Sequence, residues 1–164
     1  MRGFKIVILF LANLLIDLAI LSKYQIFGVV PSITIPLIVV LSMFSNRENI
    51  VYYAVIQGMF QDVAFGKILG VSALIFYLIS YYTYETDIKK NFNLWYGLSC
   101  TFLGVIFSKI SHVVVGYLFD KSMSLSMSSL IYGLIAQVII SVIIYIIIYF
   151  IFYYFRKKRL RNYI

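Results

Sequence analysis

Long apolar stretches separated by short polar ones make up most of this sequence. A helix needs about 20 apolar residues to cross the roughly 30 Å hydrocarbon core of a bilayer. Six stretches come close to that length, and we expect a transmembrane helix in each of them: Phe4–Ser22, Ile26–Ser45, Asn49–Phe65, Leu69–Tyr84, Leu94–Leu118 and Ser128–Phe155. Runs such as Val138–Ile148 lack the alternating polarity of a membrane-barrel strand. The pattern predicts an all-α integral membrane protein built as a six-transmembrane-helix bundle.

The lengths of the connections and stretches refine this organisation. Only Gly66-Lys67-Ile68 separates the third stretch from the fourth, which predicts a tight helical hairpin or a partly re-entrant pair. The first stretch contains Asn13 and Asp17 and has no small-residue cleavage site after it, so we interpret it as a retained span. The sixth stretch is long enough to tilt or to extend past the membrane. We expect one six-span domain over residues 1–155 and a basic cytoplasmic tail over residues 156–164.

Basic residues are distributed unevenly between the two predicted sides of the membrane. Cytoplasmic loops carry an excess of Lys and Arg. Both termini and the second and fourth connections share one side, which holds Arg2, Lys5, Arg47, Lys89, Lys90, Arg156, Lys157, Lys158, Arg159 and Arg161. The opposite side holds Lys23, Lys67 and Lys121. This bias predicts a multi-pass membrane protein with both termini in the cytoplasm.

Composition and charge exclude several classes of protein. Hydrophobic residues make up 63% of the 164, and charged residues only 12%. A soluble domain carries about 25% charged residues, so a soluble enzyme and a disordered chain are excluded. The single cysteine, Cys100, cannot form an intrachain disulfide. With the lysines and arginines on one membrane side, the formal charge of +8 indicates orientation and contact with anionic lipid, and no nucleic-acid partner is expected.

Polar residues inside the predicted spans are candidates for function, because they are costly in lipid. They gather toward the predicted outer half of the bilayer. One hypothesis is an ion-paired cluster in which Lys109 meets Asp17 or Asp62, with hydrogen bonds from neighbouring polar groups. The alternative is a structural polar contact between helices, with Lys109 reaching outward on its own. The predicted intramembrane polar cluster consists of Asn13, Asp17, Gln61, Lys109 and His112.

The sequence does not favour catalysis. Gly97-Leu98-Ser99-Cys100 contains a Gly-x-Ser triplet, and His112 is the single histidine. Thirteen residues of helix separate Ser99 from His112, or about 20 Å, whereas a nucleophile and its base need about 3 Å. Asp17 and Asp62 lack the motifs of intramembrane aspartyl proteases. We therefore expect no catalytic residues, no metal and no cofactor.

Small residues at four-residue spacing predict close helix packing, because they allow backbones to approach in lipid. We interpret them mainly as packing within the bundle, and a docking face for another membrane protein would use the same physics. The predicted packing and partner-binding positions are Ala54, Gly58, Asp62, Gly66 and Gly70.

The segment Ile56–Val63 and the glycines after it resemble the rod shape-determining protein MreD family. Members share a glycine, an aspartate four residues later, and then a glycine and a Leu-Gly pair that opens the next span. Here the pattern is filled by Gly58, Asp62, Gly66 and Leu69-Gly70. The run Pro36–Val40 resembles the proline-led second span of the family. Chain length, six spans and basic cytoplasmic ends fit as well.

This resemblance implies a non-enzymatic component of the machinery that builds lateral peptidoglycan and maintains rod shape. The implied partners are MreC, the actin-like MreB, and the glycosyltransferase RodA with its transpeptidase. The implied bundle is similar to the substrate-binding S subunits of energy-coupling-factor vitamin transporters. Such a transporter subunit is therefore the alternative function, although the Ala-x-x-x-Ala motif typical of its first span is absent here.

Overall fold

The computed structural model describes residues 10–17, 33–44, 47–65, 68–87, 93–119 and 127–161, and within these ranges all regular structure is helical. Helix α1 is described over residues 10–17. The helices that follow are α2 (Thr34–Phe44), α3 (Arg47–Ala64), α4 (Val71–Asp87), α5 (Leu94–Phe119) and α6 (Met127–Arg161). The prediction of an all-helical chain is thus confirmed for the described residues.

Each predicted span overlaps one of these helices, and the bounds of the later helices differ from the predicted ones at the polar ends. Helix α4 continues to Asp87 and α6 to Arg161, past the predicted ends at Tyr84 and Phe155. Lysine and arginine are good helix formers, so the basic tail predicted as a separate segment begins as a continuation of α6. Residues 18–32, which include the end of the first predicted span and the start of the second, lie outside the described ranges.

Among the described residues, two helices meet the length and hydropathy expected of a membrane span. These are the segments Leu94–Gly116 of α5 and Tyr132–Tyr154 of α6, while Thr34–Phe44 is a shorter apolar helix. The apolar helices are consistent with a membrane protein. A six-span bundle, its orientation and its likeness to transporter S subunits stay predictions.

Helix α2 lies at the centre of the fold. Every residue from Thr34 to Met43 is buried, and α2 contacts α3, α4, α5 and α6. A helix that is apolar all round is expected in an interior position, which is what its sequence TIPLIVVLSMF provides. Pro36 lies in the first turn, where a missing backbone N–H breaks no helical hydrogen bond.

The contacts define two ends of the bundle. At one end Met43, Gly97 and Tyr145 meet, so the end of α2, the start of α5 and the second half of α6 are together. At the other end the start of α4 lies against α5, through Ser72 and His112. The bundle therefore brings the α3–α4 connection and the start of α2 to the same end.

Hydroxyl side chains inside the helices bond mainly to their own backbone. Ser42, Thr83 and Thr101 each donate to the carbonyl four residues earlier, at 2.7, 2.7 and 2.8 Å. Bonding of this kind satisfies a buried hydroxyl without a partner from another helix. These polar residues are therefore compatible with an apolar surrounding and need no functional explanation.

Tyr145 packs directly over Gly97. Its fully buried hydroxyl donates to the Leu94 carbonyl at 3.3 Å and contacts the Met43 sulfur at 3.7 Å. A Cβ added at Gly97 would lie 2.0 Å from the Tyr145 hydroxyl oxygen and 2.6 Å from Cζ. Only glycine lets the tyrosine ring reach the first turn of α5.

We predict that Gly97→Ala lowers stability by about 1–3 kcal/mol, the usual cost of overpacking. Thermal unfolding of the purified protein in detergent measures the loss. Because the hydroxyl oxygen is the nearest atom, the cost should be smaller when Tyr145→Phe is already present. Equal costs in the two backgrounds would contradict the contact.

Candidate functional site

Polar side chains form two neighbouring clusters at the end of the bundle that contains the α3–α4 connection. The cap cluster consists of Asp62, Gly70, Ser72 and His112, and the seam cluster consists of Asn13, Asp17, Thr34 and Gln61. Gln61 and Asp62 are consecutive in α3, so this helix contributes one side chain to each cluster and holds the clusters side by side.

In the cap cluster, Asp62 supplies the hydrogen-bond acceptor for the start of α4. Gly70 precedes the helix with φ +93°, and its carbonyl accepts from the Leu74 N–H at 2.9 Å. Gly70 is thus the N-cap residue, a position where a side-chain oxygen normally accepts an N–H of the first turn. Glycine has no such oxygen, and the Asp62 carboxylate accepts instead from Gly70 N–H at 2.8 Å and Ser72 N–H at 3.1 Å.

Gly58 brings α3 close enough to α4 for this contact. A Cβ at Gly58 would lie 2.4 Å from Ala73 Cα and 2.5 Å from its nitrogen. The two backbones therefore touch one turn before Asp62. Ala54, a further turn back on the same face, is also fully buried. The predicted small-residue positions of α3 thus face the interior of the α3–α4 hairpin, and Gly66 lies outside the described residues.

His112 completes the cap cluster from α5. Its Nε2 lies 3.4 Å from Ser72 Oγ. Ser72 is fully buried, and its N–H is held by Asp62, so the Ser–His pair joins α4 to α5 and leaves the hydroxyl no access to a substrate. Asp62, Ser72 and His112 together link three helices.

The seam cluster joins α1 to α2 and α3. The Asp17 carboxylate accepts from Thr34 Oγ1 at 2.5 Å, from Ile33 N–H at 3.2 Å and from Gln61 Nε2 at 3.3 Å. Asn13 donates to the same Thr34 hydroxyl at 3.0 Å. Thr34, the first residue of α2, is therefore the shared partner of both polar residues of α1.

The predicted polar cluster is divided by the structure. Asn13, Asp17 and Gln61 come together in the seam cluster, and His112 belongs to the cap cluster. Lys109 is half-buried on α5, and within the described ranges no carboxylate forms an ion pair with its ammonium group. Asp62, one of its two hypothesised partners, bonds to the backbone N–H groups of α4 instead.

Sequence reasoning missed Thr34 and Ser72, although both are central to the clusters. A threonine in an apolar run and a serine two residues after a Leu-Gly pair are the signals that could have found them. Tyr53 of α3 is also buried, and its ring centroid lies 6.2 Å from that of Phe10 in α1.

The arrangement offers no catalytic geometry in the described part of the chain. Ser99 is exposed and donates to the Trp95 carbonyl at 3.0 Å, on the part of α5 opposite His112. The carboxylates of Asp17 and Asp62 have separate partners. No group of three or more His, Cys, Asp or Glu residues that could hold a metal ion occurs among the described residues. What the clusters do is hold helices together.

One comparison with known proteins gives a match. The family model described as rod shape-determining protein MreD matches residues 1–159 of the 164-residue chain. No curated protein and no solved structure matches the chain significantly.

Proposed function

The chain belongs to the MreD family of rod shape-determining proteins, and from this premise we propose that it works by docking partner proteins of the cell-elongation machinery in the membrane. The family is one of shape-determining structural proteins and not a known enzyme family. The protein is accordingly a rod-shape-determining membrane protein. The proposal concerns what it holds and with which surface.

The observation that carries the proposal is the construction of the α3–α4 hairpin. Gly58, Asp62 and Gly70, the residues of the family resemblance, fix the close contact of the two helices and the start of α4. They stabilise a defined shape and leave no reactive group exposed. Residues that build a rigid surface are what a docking protein requires.

We propose that the outward faces of this hairpin receive the transmembrane segment of an MreC-like protein. Four exposed residues of α3 are apolar and lie at helical spacing: Ile56, Met59, Phe60 and Val63. On α4 the exposed face adds Leu74, Leu78 and three tyrosines, Tyr77, Tyr81 and Tyr82. A long apolar partner helix could bury these residues, and the tyrosine hydroxyls would favour the end nearest the lipid headgroups.

In this proposal the protein is multi-pass in the bacterial cell membrane with both termini in the cytoplasm. The cap and seam clusters then lie toward the outer face, near the extracellular part of MreC. Assembly with MreB, RodA and its transpeptidase follows through MreC. Lipid covers the remaining apolar surface, including the exposed isoleucines of α6.

Depletion of the protein in a rod-shaped host should convert rods to spheres, because lateral peptidoglycan synthesis loses a membrane component. Microscopy of cell width and length measures the change, and re-expression of the intact chain from a plasmid is the control. Unchanged shape after complete depletion would contradict the proposal. Tight binding of a vitamin by the purified protein would favour the transporter subunit instead.

Cross-linking tests the docking surface itself. With photoreactive residues at Met59 or Val63, on the exposed face of α3, we expect a covalent product with an MreC-like protein in membranes. Position Phe102, on the exposed side of α5, is the matched control. Equal cross-linking from both helices would contradict a specific face.

A further inference from the structure

Unpartnered polar atoms gather on the face of α3 that lies against α1. Tyr53, Gln57 and Gln61 follow at four-residue spacing and therefore share one face of the helix. Gln61 at one end bonds Asp17 of α1, and the Tyr53 ring at the other end lies beside Phe10 of α1. The two helices pair in the same chain order, with Gln57 in the middle of the contact.

Four polar atoms in this region have no hydrogen-bond partner in the part of the chain that the structure describes. They are Asn13 Oδ1, the Tyr53 hydroxyl and both amide atoms of Gln57. Gln57 is 0% exposed, and Asn13 and Tyr53 are each 3% exposed. The Tyr53 hydroxyl lies close to the side chains of Asn13 and Asp17.

Such a concentration is unusual, because native proteins satisfy nearly all buried polar groups with protein or ordered water. In a membrane protein no bulk water replaces a missing partner. Something between α1 and α3 must therefore bond to these atoms. Because the four unpartnered atoms lie in one place, a single bound species between the two helices could bond to all of them.

The chemistry of the four atoms restricts that occupant. Gln57 Nε2 needs a hydrogen-bond acceptor, whereas Gln57 Oε1 and Asn13 Oδ1 need donors. The tyrosine hydroxyl can pair with a donor or with an acceptor. A metal cation leaves Nε2 unsatisfied. An anion leaves both carbonyl oxygens unsatisfied and faces the carboxylate of Asp17. Only a neutral molecule that both donates and accepts satisfies all four.

We propose that the α1–α3 seam is an enclosed hydration site, occupied by ordered water between Asn13, Tyr53 and Gln57. Water makes about three hydrogen bonds in such sites, which these residues provide. The near-complete burial of the lining residues favours water over a larger molecule. The site is independent of the docking function proposed above.

X-ray radiolytic footprinting of the protein in lipid nanodiscs tests the proposal, because radiolysis of bound water produces hydroxyl radicals in place. We expect rapid oxidation of Tyr53 despite its burial. Tyr145 is a matched control, since it is equally buried but its hydroxyl contacts the Leu94 carbonyl and the Met43 sulfur. We expect Tyr53 to be labelled at least fivefold faster than Tyr145. Equal, slow labelling of both tyrosines would overturn the proposal.

A Gln57→Leu variant gives an independent measurement that does not depend on radical chemistry. If the seam were dry, removing an unsatisfied amide would raise the melting temperature. If water is bound, the substitution removes the Gln57 amide to which the water bonds. We therefore expect a lower melting temperature and slower oxidation of Tyr53. A higher melting temperature would overturn the proposal, as would a bound molecule heavier than water in native mass spectrometry.

Discussion

Gly58→Ala should separate α3 from α4 and abolish support of rod shape. The added methyl group would lie 2.4–2.5 Å from backbone atoms of Ala73, and a backbone cannot rotate away as a side chain does. Overpacking in a well-packed core costs about 1–3 kcal/mol, and a clash with backbone belongs at the upper end. We expect a loss of about 3 kcal/mol, measured by thermal unfolding in detergent, and round cells in a complementation assay.

Gly104→Ala is the matched control for this substitution. It adds the same methyl group to another buried glycine of the bundle, where the nearest atoms are the side-chain ends of Ile79 and Ile35 at 3.2 and 3.3 Å. These side chains can shift by a few tenths of an ångström. Gly104→Ala should therefore be nearly neutral in both assays, and equal effects of the two variants would contradict the backbone contact at Gly58.

Asp62→Ala is the second substitution with a large expected effect. It leaves two N–H groups at the start of α4 without their acceptor, that of the fully buried Ser72 and that of the exposed Gly70. A hydrogen bond to a charged group contributes about 1.5–3 kcal/mol. Losing the cap should lower the free energy of unfolding by about 3 kcal/mol. Amide hydrogen exchange in the first turn of α4 should accelerate more than exchange in α6.

Asp62→Asn keeps one carbonyl oxygen in the same position and should retain part of the stability. An ordering of wild type, Asn and then Ala in melting temperature supports the capping role. If Asp62→Asn lowered the melting temperature as much as Asp62→Ala, the negative charge of the carboxylate, and not the position of the acceptor oxygen, would account for the capping. Uniform acceleration of exchange across all helices would contradict a local cap.

Hydrophobic pattern alone was sufficient to place the helices, because six apolar stretches leave few ways to divide the chain. The same pattern could not show that α2 is the central helix, since apolar residues facing lipid and facing protein look alike in sequence. Burial on all sides of Ile38 and Val39 depends on which neighbours surround them. That information is absent from any one stretch.

The polar residues were found because they are conspicuous in apolar surroundings, but their partners were not. Opposite charge suggested Lys109 for Asp62, whereas the closest donors are backbone N–H groups brought near by Gly58 and Gly70. Thr34 was missed as the partner of Asn13 and Asp17, because a threonine among isoleucines is an ordinary helix residue until its neighbours are known. Backbone donors carry no sequence signal at all.

The seam cluster has a consequence for how the protein is made at the ribosome. Asp17 bonds to Thr34, 17 residues later, and to Gln61, 44 residues later. At roughly 5–20 residues per second, a newly translated α1 waits some seconds for its last partner. An aspartate in a membrane helix disfavours insertion, with a cost that reaches about 2.5–3.5 kcal/mol at the helix centre. We therefore expect α1, if it spans the membrane as the sequence predicts, to be held there by helices that emerge after it, so that the first helices enter the bilayer as a group.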